Sequence, residues 1–140
     1  LGHLSFDQVD LVVTYMPSFA KAEIQGNKAR IVGKLIDKPL DGVLFYQDGT
    51  IHTPKDLSGK IFGYAYDSTS SNLKYLLKFN DIHPQKTLHC SFDLVGMMLT
   101  RQVDAVYGAY YTIEGEHLLD KGLPVGFFTL EELGFPTYYE

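Results

Sequence analysis

The sequence predicts an α/β protein with a mostly parallel sheet flanked by helices. Short runs rich in β-branched residues alternate with stretches in which apolar residues recur at helical spacing. Gly and Pro stand at the ends of most of these segments, where they stop strands and helices. Strands separated by helices of about ten residues are typical of βαβ units, whose sheets are mostly parallel.

Three strands and one helix are predicted in the first part of the chain. The strands cover 9–15, 29–37 and 42–47. Pro17 and Ser18 open the helix, which runs over 19–25 until Gly26 ends it. An Asp-Gly pair marks a turn after the third strand.

The rest of the chain continues the alternation. Thr53 caps a single helical turn that begins at Pro54. The predicted strands cover 60–66, 87–91, 103–107 and 125–128, and the predicted helices cover 72–80, 92–100 and 111–121. One βα series gives way to another within 46–50, so the predicted domains are 1–45 and 46–140. The predicted core residues of the second domain are Leu57, Ile61, Leu73, Leu76, Leu77, Leu94, Val103, Ala105 and Val106.

Charge and composition exclude several classes of protein. The net charge is −5 and no basic cluster exists, so the electrostatic footprint of a nucleic-acid-binding protein is missing. No apolar run approaches the roughly 20 residues of a membrane-spanning helix. The single cysteine, Cys90, excludes an internal disulfide. The chain lacks both an initiating Met and signal-peptide features, so we expect a processed product or a fragment.

The residues that commonly carry catalysis or metal binding show no matching pattern. The histidines lack metal-site spacing, and only Glu114 and His117 are placed to share a helix face, which a solvated helix face explains better than a metal site does. His89 and Cys90 are neighbours on a predicted strand, so their side chains point to opposite faces. No nucleophile elbow or phosphate-binding loop is present. We therefore predict no catalytic residue, metal site or cofactor.

One candidate ligand site follows the strand at 60–66. Tyr64 and Tyr66 end this strand, and Ser68 and Ser70 lie in the polar loop that leads to the next helix. In open α/β sheets ligands bind at such carboxyl ends, where helix N–H groups and hydroxyls receive anions or polar groups. The alternative is plain helix capping by Ser68 or Ser70.

A second candidate site follows the strand at 103–107. Tyr110, Tyr111 and Glu114 lie where this strand gives way to a helix, and Tyr110 and Glu114 share a helix face at i, i+4. Aromatic faces for stacking and a carboxylate that accepts N–H bonds suit a flat, amine-bearing heterocycle. A surface tyrosine and a solvated glutamate are an equally good interpretation of the pattern.

These segments and their neighbours carry a family resemblance. The run KLIDKPLDGVLFYQDGTIHTPKDLSGK, from Lys34 to Lys60, is similar to the central signature of the NMT1/THI5-like solute-binding family. The matching positions in its turn and the following strand are Ile51, Pro54, Asp56, Leu57, Gly59, Lys60, Gly63 and Tyr64. Further similarity lies at 16–18, 103–105, 110–114, 121–122 and 134–140, so the resemblance covers nearly the whole chain.

The resemblance implies a type II periplasmic binding protein, in which two α/β lobes hold a small molecule in the cleft between them. It implies a substrate-binding component of an ABC importer, located in the periplasm or otherwise outside the cytoplasm, that delivers an aminopyrimidine-like thiamin precursor to a permease. Ser18 is then expected to face the ligand from the first lobe, while the other site residues line the second. A chain of this length is about half a family member, and we expect such a fragment to form a homodimer.

Two alternatives remain. An enzymatic branch of the family resembles iron-dependent pyrimidine synthases that use pyridoxal phosphate, with a His in the loop at 16–19 and a Cys-rich run near 137–140. This chain has Ser18 and the sequence TYYE at those places, which argues against the enzyme. The other alternative is a stand-alone binding or interaction domain.

Overall fold

The computed structural model describes residues 2–65 and 67–135, with the side chains of all of these except residues 5, 17 and 67–71. The described residues form two compact units, 2–39 and 40–135. Within these ranges every helix is too short or too polar to cross a bilayer. The assignment of 1–45 and 46–140 to two lobes stays a prediction, and the division between the compact units falls at 39/40.

The first unit contains two helices joined by irregular chain. They are α1 (Gly2–Ser5) and α2 (Met16–Ile24), and α2 confirms the helix predicted to begin near Pro17. The strands predicted over 9–15 and 29–37 are wrong, because both segments are irregular. Their branched residues favour extended backbone, but a strand needs a neighbour for its N–H and C=O groups. In the described residues neither segment pairs with another strand.

The second unit is built on one five-stranded sheet. Its strands are β1 (Asp41–Tyr46), β2 (Ile61–Tyr64), β3 (Lys86–His89), β4 (Ala105–Tyr110) and β5 (Val125–Thr129), in the spatial order β3-β2-β4-β1-β5. β2 is parallel to β3 and β4, whereas β1 is antiparallel to both of its neighbours. Four strands therefore run one way and β1 alone runs the other, which confirms the mostly parallel α/β fold.

Three helices connect these strands. They are α3 (Asp67–Phe79), α4 (Leu94–Leu99) and α5 (Glu116–Asp120), and α5 continues directly from a π-helical turn at Tyr111–Gly115. The predicted capped turn is a 3₁₀ helix at Pro54–Leu57, where the Asp56 carboxylate accepts the backbone N–H of Thr53 at 2.7 Å. Hydrogen bonds from the backbone N–H groups of His52 and Thr53 lower the pKa of Asp56. The position of this 3₁₀ helix is thus set by its local cap.

Helices cover both faces of the sheet. Leu73, Leu76 and Leu77 of α3 pack on one side, which we call the α3 face, against buried residues such as Phe62 and Tyr107. Leu94 and Met98 of α4 and Leu118 of α5 pack on the opposite side, the α4 face. Of the nine predicted core residues all are buried except Ile61, which is half-buried. Because both faces of the sheet are buried, the sequence of β1 is a continuous apolar run rather than an alternation of apolar and polar residues.

A β-bulge interrupts β4. Val43 of β1 lies opposite Tyr107, but Gly42 lies opposite Ala109, so Gly108 is an extra residue on β4. Gly108 has φ +83°, a backbone conformation that glycine adopts without the steric cost that a Cβ imposes. Because one residue is inserted, Tyr107 and Tyr110 lie on the same face although they are three positions apart.

Candidate functional site

The carboxyl ends of β2, β3 and β4 open on one edge of the sheet, because these strands are parallel. Cross-strand register places Tyr64 between His89 of β3 and Tyr107 of β4. Asp41, the first residue of β1, lies opposite Tyr110. These five residues, on the α3 face of the sheet, are called the tyrosine edge below.

The aromatic part of the tyrosine edge is a row of rings. The rings of Tyr64 and His89 have their centroids 5.4 Å apart and are tilted by 48°. Tyr107 next to them is only 2% exposed, whereas Tyr64 is half-buried and His89 is exposed. The row therefore runs from a fixed, buried ring to rings that solvent or a ligand can reach. Such partly open aromatic surfaces suit stacking on a planar molecule.

Tyr110 and Asp41 extend this surface past the row. Tyr110 lies three residues beyond Tyr107, or about 10 Å farther along the strand at the usual rise per residue. Both Tyr110 and Asp41 are half-buried. Burial raises the pKa of the Asp41 carboxyl, so its charged form is held in a poorly solvated position.

Glu114 sits in the π-helical turn that follows β4. One oxygen of its carboxylate accepts the backbone N–H of Tyr110 at 2.8 Å. This is a local helix-capping contact, and the carboxylate keeps further acceptor positions on its two oxygens. Turns of this π type occur frequently at functional sites. Glu114 is half-buried beside Tyr110, so the structure brings these two predicted site residues together.

Tyr111 takes a different direction from Tyr64 and Tyr110. Its ring lies 5.7 Å from that of Phe127, which packs on the α4 face. The sheet therefore separates the Tyr111 ring from the tyrosine edge. Ser18 is an exposed residue of α2 in the first unit. Ligand contact by Tyr111 and by Ser18 stays a prediction.

Three predicted site residues fall wholly or partly outside the described residues. Tyr66 is one of them. Ser68 and Ser70 lie in the first turn of α3, directly after β2, and their side chains are also outside the description. The first turn of a helix leaves backbone N–H groups without helical partners, so the place suits an anion or polar group. Their part in the site stays a prediction.

The sequence analysis missed three members of the tyrosine edge. Tyr107 ends the strand predicted over 103–107, and His89 lies within the strand predicted over 87–91 and ends the observed β3, so the edge rule that selected Tyr64 applies to them as well. Asp41 carried no such signal, because its place depends on antiparallel pairing between β1 and β4 and on the bulge at Gly108. Local patterns do not encode either feature.

The structure offers little for metal binding or cysteine chemistry at this edge. Among residues 2–65 and 67–135 no three His, Cys, Asp or Glu side chains are grouped to hold a metal ion. Cys90 is buried on the α4 face, away from the His89 ring on the α3 face, as the strand pattern predicts. Burial raises the pKa of its thiol, which disfavours the reactive thiolate.

The fold defines an α/β protein in which the carboxyl ends of three parallel strands open on one edge of the sheet, and comparison with known proteins gives the family. The family model described as NMT1/THI5 like matches residues 3–140. The chain therefore belongs to the NMT1/THI5-like family.

Two curated relatives are similar over most of this chain. A Haemophilus influenzae protein named for thiamine biosynthesis is 31% identical over 141 residues, which cover 96% of this chain and 44% of the relative. The formylaminopyrimidine-binding protein of Halalkalibacterium halodurans is 24% identical over 135 residues, covering 94% of this chain and 41% of the relative. The chain thus spans less than half the length of these relatives.

Among solved structures, an ancestral arginine-binding protein bound to arginine is similar with a TM-score of 0.43 and 16% identity, over 74% of this chain and 46% of that one.

Proposed function

We propose that this chain is part of the substrate-binding component of an ABC importer, and that it binds an aminopyrimidine precursor of thiamin without changing it. Tyr64, Tyr110 and Glu114 form one wall of the ligand site. The observation that carries the proposal is the tyrosine edge, an aromatic and acidic surface at the carboxyl ends of parallel strands. The similarity of this chain to a formylaminopyrimidine-binding protein supports it.

The chemistry of this wall fits the proposed ligand. A pyrimidine ring is flat and stacks on tyrosine, while its amino group donates to a carboxylate. Aromatic stacking contributes about 0.5–1.5 kcal/mol beyond buried area, or about 2- to 13-fold in affinity. The net charge of −5 also favours a neutral or cationic ligand over an anion.

The test is calorimetric titration of the complete natural gene product with formylaminopyrimidine. We expect saturable binding, a loss of about 2- to 13-fold in Tyr64→Ala and Tyr110→Ala, and recovery of unchanged ligand from the complex. Tyr75→Ala is the matched control, because Tyr75 is 53% exposed and lies on α3 rather than at the strand ends. No binding by the wild-type protein excludes the aminopyrimidine. Chemical conversion of the bound ligand identifies an enzyme instead.

The proposal includes a permease partner and a location outside the cytoplasm. Import of a captured ligand requires a membrane protein that receives the ligand and carries it across the bilayer. Deletion of the gene is expected to abolish uptake of the labelled aminopyrimidine by whole cells, and fractionation places the protein outside the cytoplasmic membrane. Unchanged uptake in the deletion strain contradicts the transport role.

For the isolated 140-residue chain we also propose a homodimer. The first unit exposes many apolar side chains, including Leu11 at 74% and Val32 at 82%. Exposed apolar surface of this kind drives association. Light scattering is expected to give twice the monomer mass of 15.8 kDa. A single monomer mass at high concentration contradicts this part of the proposal.

A further inference from the structure

The carboxyl of Asp41 differs from the other perturbed carboxyls of the protein. Asp48, Asp56 and Asp81 each accept hydrogen bonds from neighbouring groups, and those bonds lower their pKa values. Asp41 shows the opposite behaviour, because burial raises the pKa of its carboxyl. Within residues 2–65 and 67–135 this carboxyl has no hydrogen bond or ion pair with another residue, and only its own backbone N–H approaches it.

A half-buried carboxyl without a partner costs folding free energy, so a role in ligand binding would explain why it is present. The position of Asp41 at the sheet edge is consistent with such a role. Asp41 lies on the α3 face with Val43 and Phe45, and directly opposite Tyr110 at the tyrosine edge. The nearby carboxylate of Glu114 is partly committed, because one of its oxygens accepts the Tyr110 backbone N–H. Among the described residues, Asp41 therefore differs from Glu114 in that neither of its carboxyl oxygens accepts a hydrogen bond from another residue.

The edge of an aminopyrimidine matches such a carboxyl. The amino group is a donor and the adjacent ring nitrogen is an acceptor, so the two form a donor–acceptor pair on one side of the ring. A protonated carboxyl donates its O–H to the ring nitrogen and accepts the amino N–H on its other oxygen. If the proton moves to the ring nitrogen, the carboxylate accepts both N–H groups and the same two hydrogen bonds persist.

We propose that Asp41 forms this two-bond pair with the amino group and ring nitrogen of the ligand, while Tyr110 beside it contacts the ring. The inference rests on the proposed function and adds the residue that recognises the amino-substituted side of the ligand ring. Glu114 keeps its place in the wall of the proposed site, where one of its oxygens also holds the π-helical turn and the Tyr110 backbone in place.

Two substitutions separate pairing from charge. Asp41→Leu has a similar shape and no hydrogen-bonding group. Asp41→Asn removes the charge but keeps one acceptor and one donor, which is the set that the paired edge requires. Asp120→Asn is the matched control, because Asp120 is an exposed carboxylate at the far end of α5.

The experiment titrates the complete gene product and these variants with formylaminopyrimidine and with an analogue in which hydrogen replaces the amino group. We expect Asp41→Leu to lose about 5- to 150-fold in affinity for the aminopyrimidine, Asp41→Asn to lose much less, and Asp120→Asn to match the wild type. For the analogue we expect a smaller difference in affinity between wild type and Asp41→Leu, because the analogue lacks the amino group that pairs with Asp41. A dependence of one change on the other is the energetic coupling expected of two groups in contact.

The outcomes distinguish the two proposals. Wild-type affinity in Asp41→Leu, with thermal melts that show folded protein, overturns the role of Asp41 and leaves the proposed function standing. Equal losses in Asp41→Leu and Asp41→Asn overturn the two-bond pair in favour of a charge effect. Absence of binding by the wild type overturns the proposed function and this inference together.

Discussion

Replacement of Glu114 by alanine tests whether this carboxylate holds the start of the π-helical turn. The change removes the acceptor of a 2.8 Å hydrogen bond from the Tyr110 backbone N–H. Loss of a side-chain acceptor at a helix start costs about 0.5–2 kcal/mol. The contact is part-buried and charge-assisted, which places the expected loss in the upper half of that range, about 1–2 kcal/mol. In a domain of about 60–100 residues, a loss of about 1 kcal/mol lowers the melting temperature by about 4–8 °C.

Urea denaturation followed by circular dichroism measures this loss as a shift in midpoint at constant slope. Glu114→Gln keeps an acceptor oxygen and is expected to lose less than half as much as Glu114→Ala. Glu116→Ala is the matched control, because Glu116 is an exposed glutamate in the same helical segment. If Glu114→Ala melts like the wild type, or if Glu114→Gln loses as much as Glu114→Ala, the capping role is refuted.

Three further predictions concern the second unit. Leu76→Ala is expected to destabilise by about 2–5 kcal/mol in urea melts, because Leu76 is 0% exposed in the α3-face core; Ile113→Ala, at a site 62% exposed, serves as the control, and equal midpoints for the two contradict the core assignment. Gly108→Ala is expected to cost about 1–2 kcal/mol in the same assay, because Gly108 has φ +83°; an unchanged midpoint argues against the bulge. Asp41→Asn is expected to raise thermal stability at neutral pH. The pKa of Asp41 in the folded protein lies above the usual value of 3.8, so the stability linked to its protonation is present below pH 3.8 and is lost as pH rises through the folded value. The higher thermal stability of Asp41→Asn should therefore vanish in melts near pH 3, where Asp41 is protonated. A stability difference that persists at pH 3 contradicts the idea that the wild type is destabilised by a buried carboxylate charge.

Much of the second unit could be predicted because its signals are local. The capped turn at Thr53 and the helix with Leu73, Leu76 and Leu77 on one face depend on residues close in sequence, and both are confirmed. The strands predicted over 9–15 and 29–37 failed for the opposite reason. Branched residues make extended backbone favourable, but only pairing with another strand makes it a β-strand, and pairing is a property of distant segments.

The candidate site was predictable to a smaller extent. Tyr64 and Tyr110 follow from the rule that strand ends share an edge, and Glu114 follows from its i, i+4 spacing to Tyr110. The spacing predicted a shared helix face, whereas the observed contact joins the Glu114 carboxylate to the Tyr110 backbone. Asp41 escaped the sequence analysis because its partner lies across an antiparallel pair that a mostly parallel pattern does not suggest.

The bulge at Gly108 links the fold to the proposed site. In a regular strand, residues three apart point to opposite faces, so Tyr110 would lie on the α4 face while Tyr107 stayed on the α3 face. The inserted residue reverses that direction and places Tyr110 beside Asp41, on the same side as Tyr64 and Tyr107. Only a residue that accepts a positive φ makes the insertion without strain, and Gly108 has φ +83°. One glycine that offers a ligand no side chain therefore determines which side chains the tyrosine edge presents to it.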